Sequence, residues 1–480
     1  MKNLIIVLVC FLWLLTCACG ETVPDNGTEN PPPQEEQLAE RNLTRAMELA
    51  DNAITAHFTG SGMAMARYYN PYTETRSDEK GSVWMYTSAI EAVNAILHGL
   101  QAEKETGDAS LYNKHYTRFV DVLDKLYDNA DYYLGTFTLT SYTQTKEWTV
   151  YGVNRGTSKG GAKVEGIENV YDDQMWLVRE LLKSYKLTGK EEYLVKAEYL
   201  TEYVLDGWDC TIDANGNEIG GITWGPGYVT KHACSNGPMV SPLVWLHELY
   251  KEKGNEVTHR YIDAEDKKTR KTVSLKKSDY YLTFAVNIYE WQKEALLRAD
   301  GVYDDMIGGC TPGTPELETI DGVTYRKGIT CRDKVGPAIS YNSGTMLSGA
   351  ADLYRATGEE KYLADGKKLS DASFTYFAKK GANLPDHYTY NISGFNNWFN
   401  GVLMRGYVDM YPSNAKVGAY VDTFQQNLDY GYTHFLYKGF LPTNLLVGWS
   451  QNNSNNRTEG MFSFALAAEY AVLSRYELTK

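Results

Sequence analysis

Metal-ligand spacing is missing from this chain. Its eight histidines are scattered and none falls in an H-E-x-x-H arrangement. Its seven cysteines form no C-x-x-C or Cys/His cluster of the zinc type. The expectation is chemistry carried by protein side chains, with no metal and no cofactor. An excess of positive charge is also missing. Lys and Arg total 47 against 61 Asp and Glu, a net charge of −14. That excludes a nucleic-acid backbone as the natural partner and disfavours polyanionic glycans.

Long apolar runs are scarce. The N-terminal stretch MKNLIIVLVCFLWLLTCACG has a positive start at Lys2 and an apolar run from Leu4 to about Leu15. The run is too short to span a bilayer comfortably and reads as a bacterial export signal. Thr16-Cys17-Ala18-Cys19-Gly20 resembles a lipoprotein cleavage box, with Cys19 the lipidation candidate and Cys17 the alternative. A plain secretion signal is the competing reading. Residues 20–38 are polar, acidic and proline-rich, as in GETVPDNGTENPPPQEEQ, and cannot bury a core. The expected organisation is a signal peptide over 1–19, a tether over 20–38 and a folded domain over 39–480. The protein would then be exported and held at the outer membrane, on the cell surface or the periplasmic face. A lipid would be its only membrane contact, and it would act as a monomer. Four cysteines lie in the folded part: Cys210, Cys234, Cys310 and Cys331. A Cys310–Cys331 disulfide and free buried thiols are both open.

Strand-like alternation is short and rare, as in GTFTLTSYTQT after Leu134. Apolar residues recur instead at helical spacing. The pattern predicts about twelve helices: 40–57, 83–103, 109–134, 171–187, 190–206, 234–252, 278–298, 343–356, 359–378, 394–411, 415–436 and 458–475. Two stretches are near copies, KSYKLTGKEEYLVKAEYL from Lys183 and DLYRATGEEKYLADGKKL from Asp352. HELYKEKGN, ending at Gly254 and Asn255, begins the same way, and Gly107 sits in a weaker echo. Each glycine suits the left-handed residue that ends one helix before the next begins. The other connections are long: about 57–83, 134–171, 206–234, 298–343 and 436–458. Tight turns alternating with long loops predict six helical hairpins closed into a ring, an all-α (α/α)6 barrel. An open solenoid is the competing architecture.

In the closed form, the helices beginning near Val83, Asp172, Cys234, Ser343, Gly394 and Thr458 are the inner ones. Their N-termini share one end with the long loops. Aromatics, amides and carboxylates gather there: Trp84, Tyr171, Asp172, Asp173, Trp224, Asn236, Tyr341, Asn342, Trp398 and Glu459 among them. Some of the 38 tyrosines and 10 tryptophans simply fill helix contacts. An aromatic face is also a platform for a sugar ring, and the mixture is that of a sugar-binding groove. In VYDDQMW, Asp172 and Asp173 have an ordinary explanation, since acids favour the positive first turn of a helix. Their place in the ring of inner-helix termini favours a catalytic pair.

Several stretches in order resemble glycoside hydrolase family 76, the endo-α-1,6-mannanases: VYDDQMWLVRELLKSYKLTG, GGITWGPG with HACSNGPMVSPLVWLHELYKEKGN, GVYDDMIGGC, SYNSGTMLSGAADLYRATG and FNGVLMRGYVDMY. They span about residues 165–411. Asn400 departs from a lysine common in the family, and 255–277 is a charged insertion. The resemblance implies an (α/α)6 enzyme that hydrolyses internal α-1,6-mannosidic linkages of mannan with retention of configuration. It implies Asp172 as nucleophile and Asp173 as general acid/base. The candidate substrate-binding residues are Tyr171, Trp224, Asn236, Asp304, Tyr341, Asn342, Trp398 and Arg405. A retaining enzyme holds its carboxyls about 5–5.5 Å apart and an inverting one roughly 6.5–9.5 Å apart, and adjacent aspartates suit the shorter spacing. A non-catalytic glycan-binding lipoprotein, a transglycosidase and another (α/α)6 enzyme acting on uronic acids are the alternatives. DANGNE, from Asp213, is read as a hairpin turn rather than a calcium loop.

Overall fold

A computed structural model describes residues 37–309, 313–381 and 384–480. The leader with Cys19, the tether and Cys310 lie outside the described residues, so the signal, the lipidation site and the Cys310–Cys331 pairing rest on sequence alone. Among the described residues, Cys210, Cys234 and Cys331 form no disulfide.

Twelve α-helices are described: α1 Leu38–His57, α2 Val83–Thr106, α3 Ser110–Ala130, α4 Tyr171–Thr188, α5 Glu191–Asp206, α6 Val240–Tyr250, α7 Lys277–Leu296, α8 Ser340–Thr357, α9 Glu360–Phe377, α10 Asn396–Met410, α11 Gly418–Phe435 and α12 Gly460–Glu477. The even-numbered helices pack in a closed ring, each on the next, with α12 returning to α2. The odd-numbered helices lie outside, each against an inner neighbour: α3 on α2, α5 on α4, α7 on α6, α9 on α8, α11 on α10, and α1 on α12 and α2. This is an (α/α)6 barrel. Side-chain pattern sets the two layers. Inner α2 and α12 are buried almost all round, whereas outer α3 buries one stripe, including Phe119, Leu123, Leu126 and Tyr127. Glycine permits the closest inner contact. A Cβ on Gly344 of α8 would meet the Val402 carbonyl oxygen at 2.5 Å, and one on Gly406 of α10 would meet the Gly344 oxygen at 2.6 Å.

The tight turns are where the repeated sequence puts them. Gly189 and Gly358 cap α4 and α8 at φ of 71° and 70°. Gly254 differs. Its helix ends at Tyr250 and the chain leaves the barrel as an antiparallel hairpin, Glu256–Ile262 paired with Arg270–Lys276, before α7 starts. The charged insertion is thus a β-hairpin whose first strand alternates between exposed and half-buried side chains and whose second strand is mostly exposed. The helix expected from 234 begins later, at Val240, behind a 3-10 turn Gly237–Met239 that carries Pro238. The reason lies just upstream. Asn236 turns its amide onto the Ile222 backbone and the His232 carbonyl, which holds residues 232–236 out of helical geometry.

The long connections carry small sheets. One pairs Leu134–Thr140 with Thr145–Tyr151. Another is three-stranded, with Met306–Gly308 between Lys231–His232 and Asp333–Val335. It ties the connection between α5 and α6 to two arms of the connection between α7 and α8. DANGNE forms a hairpin turn, with Asp213 Oδ1 accepting from the amides of Asn215 and Asn217.

Candidate active site

Asp172 and Asp173 open α4, and that turn is held on several sides. The Tyr171 amide donates to the Trp224 carbonyl at 2.7 Å. Gln174 exchanges two hydrogen bonds with the backbone of Tyr151, at 3.1 and 2.8 Å. The carboxylate of Asp172 accepts from Trp224 Nε1 at 3.2 Å, and its Oδ1 is shut off from solvent.

Further donors converge on the same group. The Cys234 thiol and the amide and carboxyl of Asp173 lie beside the same carboxylate and favour its charged form, while Oδ1 itself takes no hydrogen bond of good geometry. The two acids are pushed apart by their surroundings. Burial raises Asp172 to about 6, and these donors oppose the rise. Burial, the charge of Asp172 and the shared hydrogen bond all raise Asp173, well above the ordinary carboxyl range. The proton of the pair therefore sits on Asp173 and the negative charge on Asp172. The pair titrates as a unit, in two steps.

Behind Cys234 the chain of donors continues. The Tyr341 hydroxyl lies beside the thiol, and the Tyr341 ring stacks on Phe399 at 4.4 Å. Phe399 in turn stacks on Trp84 at 5.8 Å, and Trp84 meets Phe395 at 4.8 Å. Trp84, Phe395 and Phe399 are half-buried and give the inner-helix termini a partly open aromatic surface. Trp224 is half-buried too, with one ring face stacked on His232 at 5.0 Å. Its N–H is already engaged by the dyad, a role its sequence context did not suggest.

The expected binding residues divide. Asp172, Asp173, Trp224 and Tyr341 come together. Asn342 lies beside them, fully buried, with neither amide atom hydrogen-bonded. Tyr171 does not reach the groove. It is 1 % exposed, its ring packs on Tyr203 at 5.0 Å, and it fills the space beside Gly207. Asn236 spends its amide on backbone, as above. Trp398 is 2 % exposed and wedged edge-on between Trp84 and Trp176, with Nε1 on Glu91 at 3.0 Å. Arg405 lies inside the barrel, hydrogen-bonded to Glu91, and burial lowers it to about 10. Asp304 faces Arg298 at 3.5 Å. Its neighbour Asp305 takes the place expected for it, beside Asn342, with burial raising it to about 6. Neighbours in an extended segment point to opposite sides, which separates the two.

Cys234 is the participant that sequence reasoning missed. A lone cysteine outside any motif gives no signal. Its role depends on the loop after residue 206 folding back over the start of α4.

If Trp224 is replaced by phenylalanine, a donor that lowers the Asp172 pKa is lost, so that pKa rises. We expect the acid limb of kcat/KM against pH to move upward, because the ionised form of Asp172 then requires a higher pH. Melting should change little. An unmoved acid limb would mean that the 3.2 Å contact does not act on the carboxylate.

Known proteins give the context. Residues 272–462 match the model of glycosyl hydrolase family 76, a segment that begins beyond the dyad. Among curated proteins, none matches the chain by sequence. Among solved structures, a family 76 glycoside hydrolase (mannosidase) of Bacteroides thetaiotaomicron is similar, with a TM-score of 0.64 at 19% identity over 91% of this chain and 98% of that one. An α-1,6-mannanase of a Salegentibacter species aligns with a TM-score of 0.57 at 18% identity, over 90% of this chain and 99% of that one. That protein was captured as inactive variants, with two consecutive aspartates replaced, bound to α-1,6-mannotriose and α-1,6-mannotetrose. A D-mannose isomerase shares the fold at 11% identity and a TM-score of 0.52, over 93% of this chain and 99% of that one, so the architecture alone does not choose the reaction. Residues 272–462 thus resemble glycosyl hydrolase family 76, and the whole chain shares the (α/α)6 fold of solved family 76 structures.

Proposed function

We propose that the protein is a retaining endo-α-1,6-mannanase, with Asp172 as nucleophile and Asp173 as general acid/base. The observation that carries this reading is the uneven dyad, in which one carboxyl is charged and ringed by donors and the next holds the proton. In the first step Asp172 attacks the anomeric carbon as Asp173 gives its proton to the departing glycosidic oxygen. The acids touch in the free protein, so Asp173 must swing off Asp172 toward that oxygen as a sugar ring enters. In the second step the ionised Asp173 takes a proton from water, and the resulting hydroxide displaces Asp172 from the sugar. Trp224 and Cys234 hold the Asp172 carboxylate through both steps. The charge on Asp172 and the proton on Asp173 are needed together. Activity should therefore rise with pH through the lower step of the dyad and fall through the upper one.

The substrate assignment is supported by the match of residues 272–462 to the family 76 model and by the mannooligosaccharides bound to the similar Salegentibacter protein. Incubating the purified folded domain with unbranched α-1,6-mannan should release a ladder of oligosaccharides early in the reaction. Release of mannose alone would contradict endo action, and no release would contradict the substrate.

We also propose that Cys19 carries a lipid that anchors the enzyme to the bacterial outer membrane, on the strength of the leader and the cleavage box. Cys19→Ala should move the protein out of the membrane fraction. Unchanged partitioning would remove Cys19 as the anchor and make Cys17 the next residue to test.

A further inference from the structure

We infer that a cleft on the far side of the barrel, between α10, α11 and the segments 388–392 and 444–446, is a second carbohydrate site that takes one neutral, polyhydroxylated sugar ring. The cleft encloses about 290 Å³, at the small end of the roughly 300–1,000 Å³ range of ligand pockets. In the inner ring α10 stands opposite α4, so the cleft lies across the barrel from the dyad, at the same end as the first turns of the inner helices and behind Trp398 and Phe399.

Its chemistry is specific. Five asparagines line it, and no Lys, Arg or His does, which leaves nothing to neutralise an anionic ligand. Asn427 donates both amide hydrogens, to the carbonyls of Tyr388 and Thr423 at 2.9 Å each, and its Oδ1 is buried with no partner. Asn397 likewise spends Nδ2 on the Thr443 carbonyl. Asn444 is oriented the other way. Its Oδ1 accepts from the amides of Leu446 and Val447, which leaves Nδ2 for a ligand. Glu469 closes the floor, 7 % exposed and without a hydrogen bond in the protein among the described residues. Burial raises it to about 8, against the pull of Arg405, which favours the protonated carboxyl, a group that both donates and accepts. One wall is aromatic, with Tyr390 stacked on Phe424 at 4.3 Å. Unfilled acceptors, a few donors, an aromatic wall and no cation are what the hydroxyls and C–H face of a pyranose require. An unpaired buried polar atom is costly, and a turn of the Asn427 amide toward the cleft would let a bound hydroxyl pair with Oδ1, which is shut off from solvent as it stands.

This inference does not depend on how the dyad is read. Methyl α-D-mannopyranoside and methyl α-D-glucopyranoside are suitable probes, titrated by ligand-observed NMR against wild type, Asn427→Leu and Leu446→Trp. Asn427→Leu removes the unpaired acceptor, and Leu446→Trp fills the cleft without touching its amides. At least one probe should bind wild type and lose about tenfold or more in affinity in both variants, the scale of one buried hydrogen bond to a ligand. Cleavage of mannan by both variants should stay at the wild-type rate. Wild-type affinity in Leu446→Trp, or no binding of either probe to wild type at tens of millimolar, would overturn the site.

Discussion

Asp172→Asn is expected to abolish mannan cleavage, because no nucleophile is left to capture the anomeric carbon. Asp173→Asn should be slower than wild type by roughly 10²–10⁴-fold, the usual contribution of a positioned proton donor. The two losses differ in how they respond to chemistry supplied from outside. A substrate whose leaving group needs no proton should restore the first step in Asp173→Asn and do nothing for Asp172→Asn. The glycosyl-enzyme then accumulates in Asp173→Asn, because no base activates water, and azide should release it. Trp224 donates to Asp172 and Cys234 lies beside it, while burial and the charge of Asp172 keep the proton on Asp173. Near-normal turnover in both asparagine variants would return the two residues to ordinary acids at a helix start.

Arg405→Met is expected to cost about 3–5 kcal/mol of stability, the range for breaking a buried ion pair by removing one partner. The guanidinium and the Glu91 carboxylate are 13% and 7% exposed, so water cannot replace the lost partner. Glu91 would keep one strong donor, Trp398 Nε1 at 3.0 Å. Because Trp398 also sits against Trp84 and Trp176, the disturbance should reach the aromatic surface beside the dyad. Chemical denaturation followed by tryptophan fluorescence measures the loss. If Arg405 instead bound substrate, as its motif suggested, the variant would keep its denaturation midpoint and raise KM.

The repeat of hairpins was legible because it is local. Helical periodicity, the turn glycines Gly189 and Gly358, and the alternation of short and long connections are all written within a few dozen residues. They sufficed to name the inner helices and the end at which their N-termini and the long loops meet. Gly254 shows the limit. Its sequence begins like the other turns, but the inserted hairpin draws the chain away before the left-handed turn can form. In the site, the dyad was legible because adjacent acids at a helix start stay adjacent in space. The aromatics and amides were harder. Recurrence at one end of the barrel brought Trp84, Trp224 and Trp398 to attention together, but sequence does not say which way a ring turns. Trp398 turned inward onto Glu91, and Trp224 turned its N–H onto Asp172. Asp304 and Asp305 show the same ambiguity at a separation of one residue. Cys234 and Asp305 reach Asp172 and Tyr341 only because three strands from two loops pair, Lys231–His232, Met306–Gly308 and Asp333–Val335. Those strands are two or three residues long, too short for alternation to be seen.

The central claim is that Asp172 forms a covalent glycosyl-enzyme, and the configuration of the first product tests it most directly. Two displacements at one carbon restore the original stereochemistry, so α-1,6-mannan should release a reducing end in the α configuration. Proton NMR of the anomeric region, recorded in the first minutes before mutarotation, reads this. An α signal that appears first and decays toward the equilibrium mixture is the predicted result. A β signal appearing first would contradict the covalent route and require water, rather than Asp172, to attack the sugar.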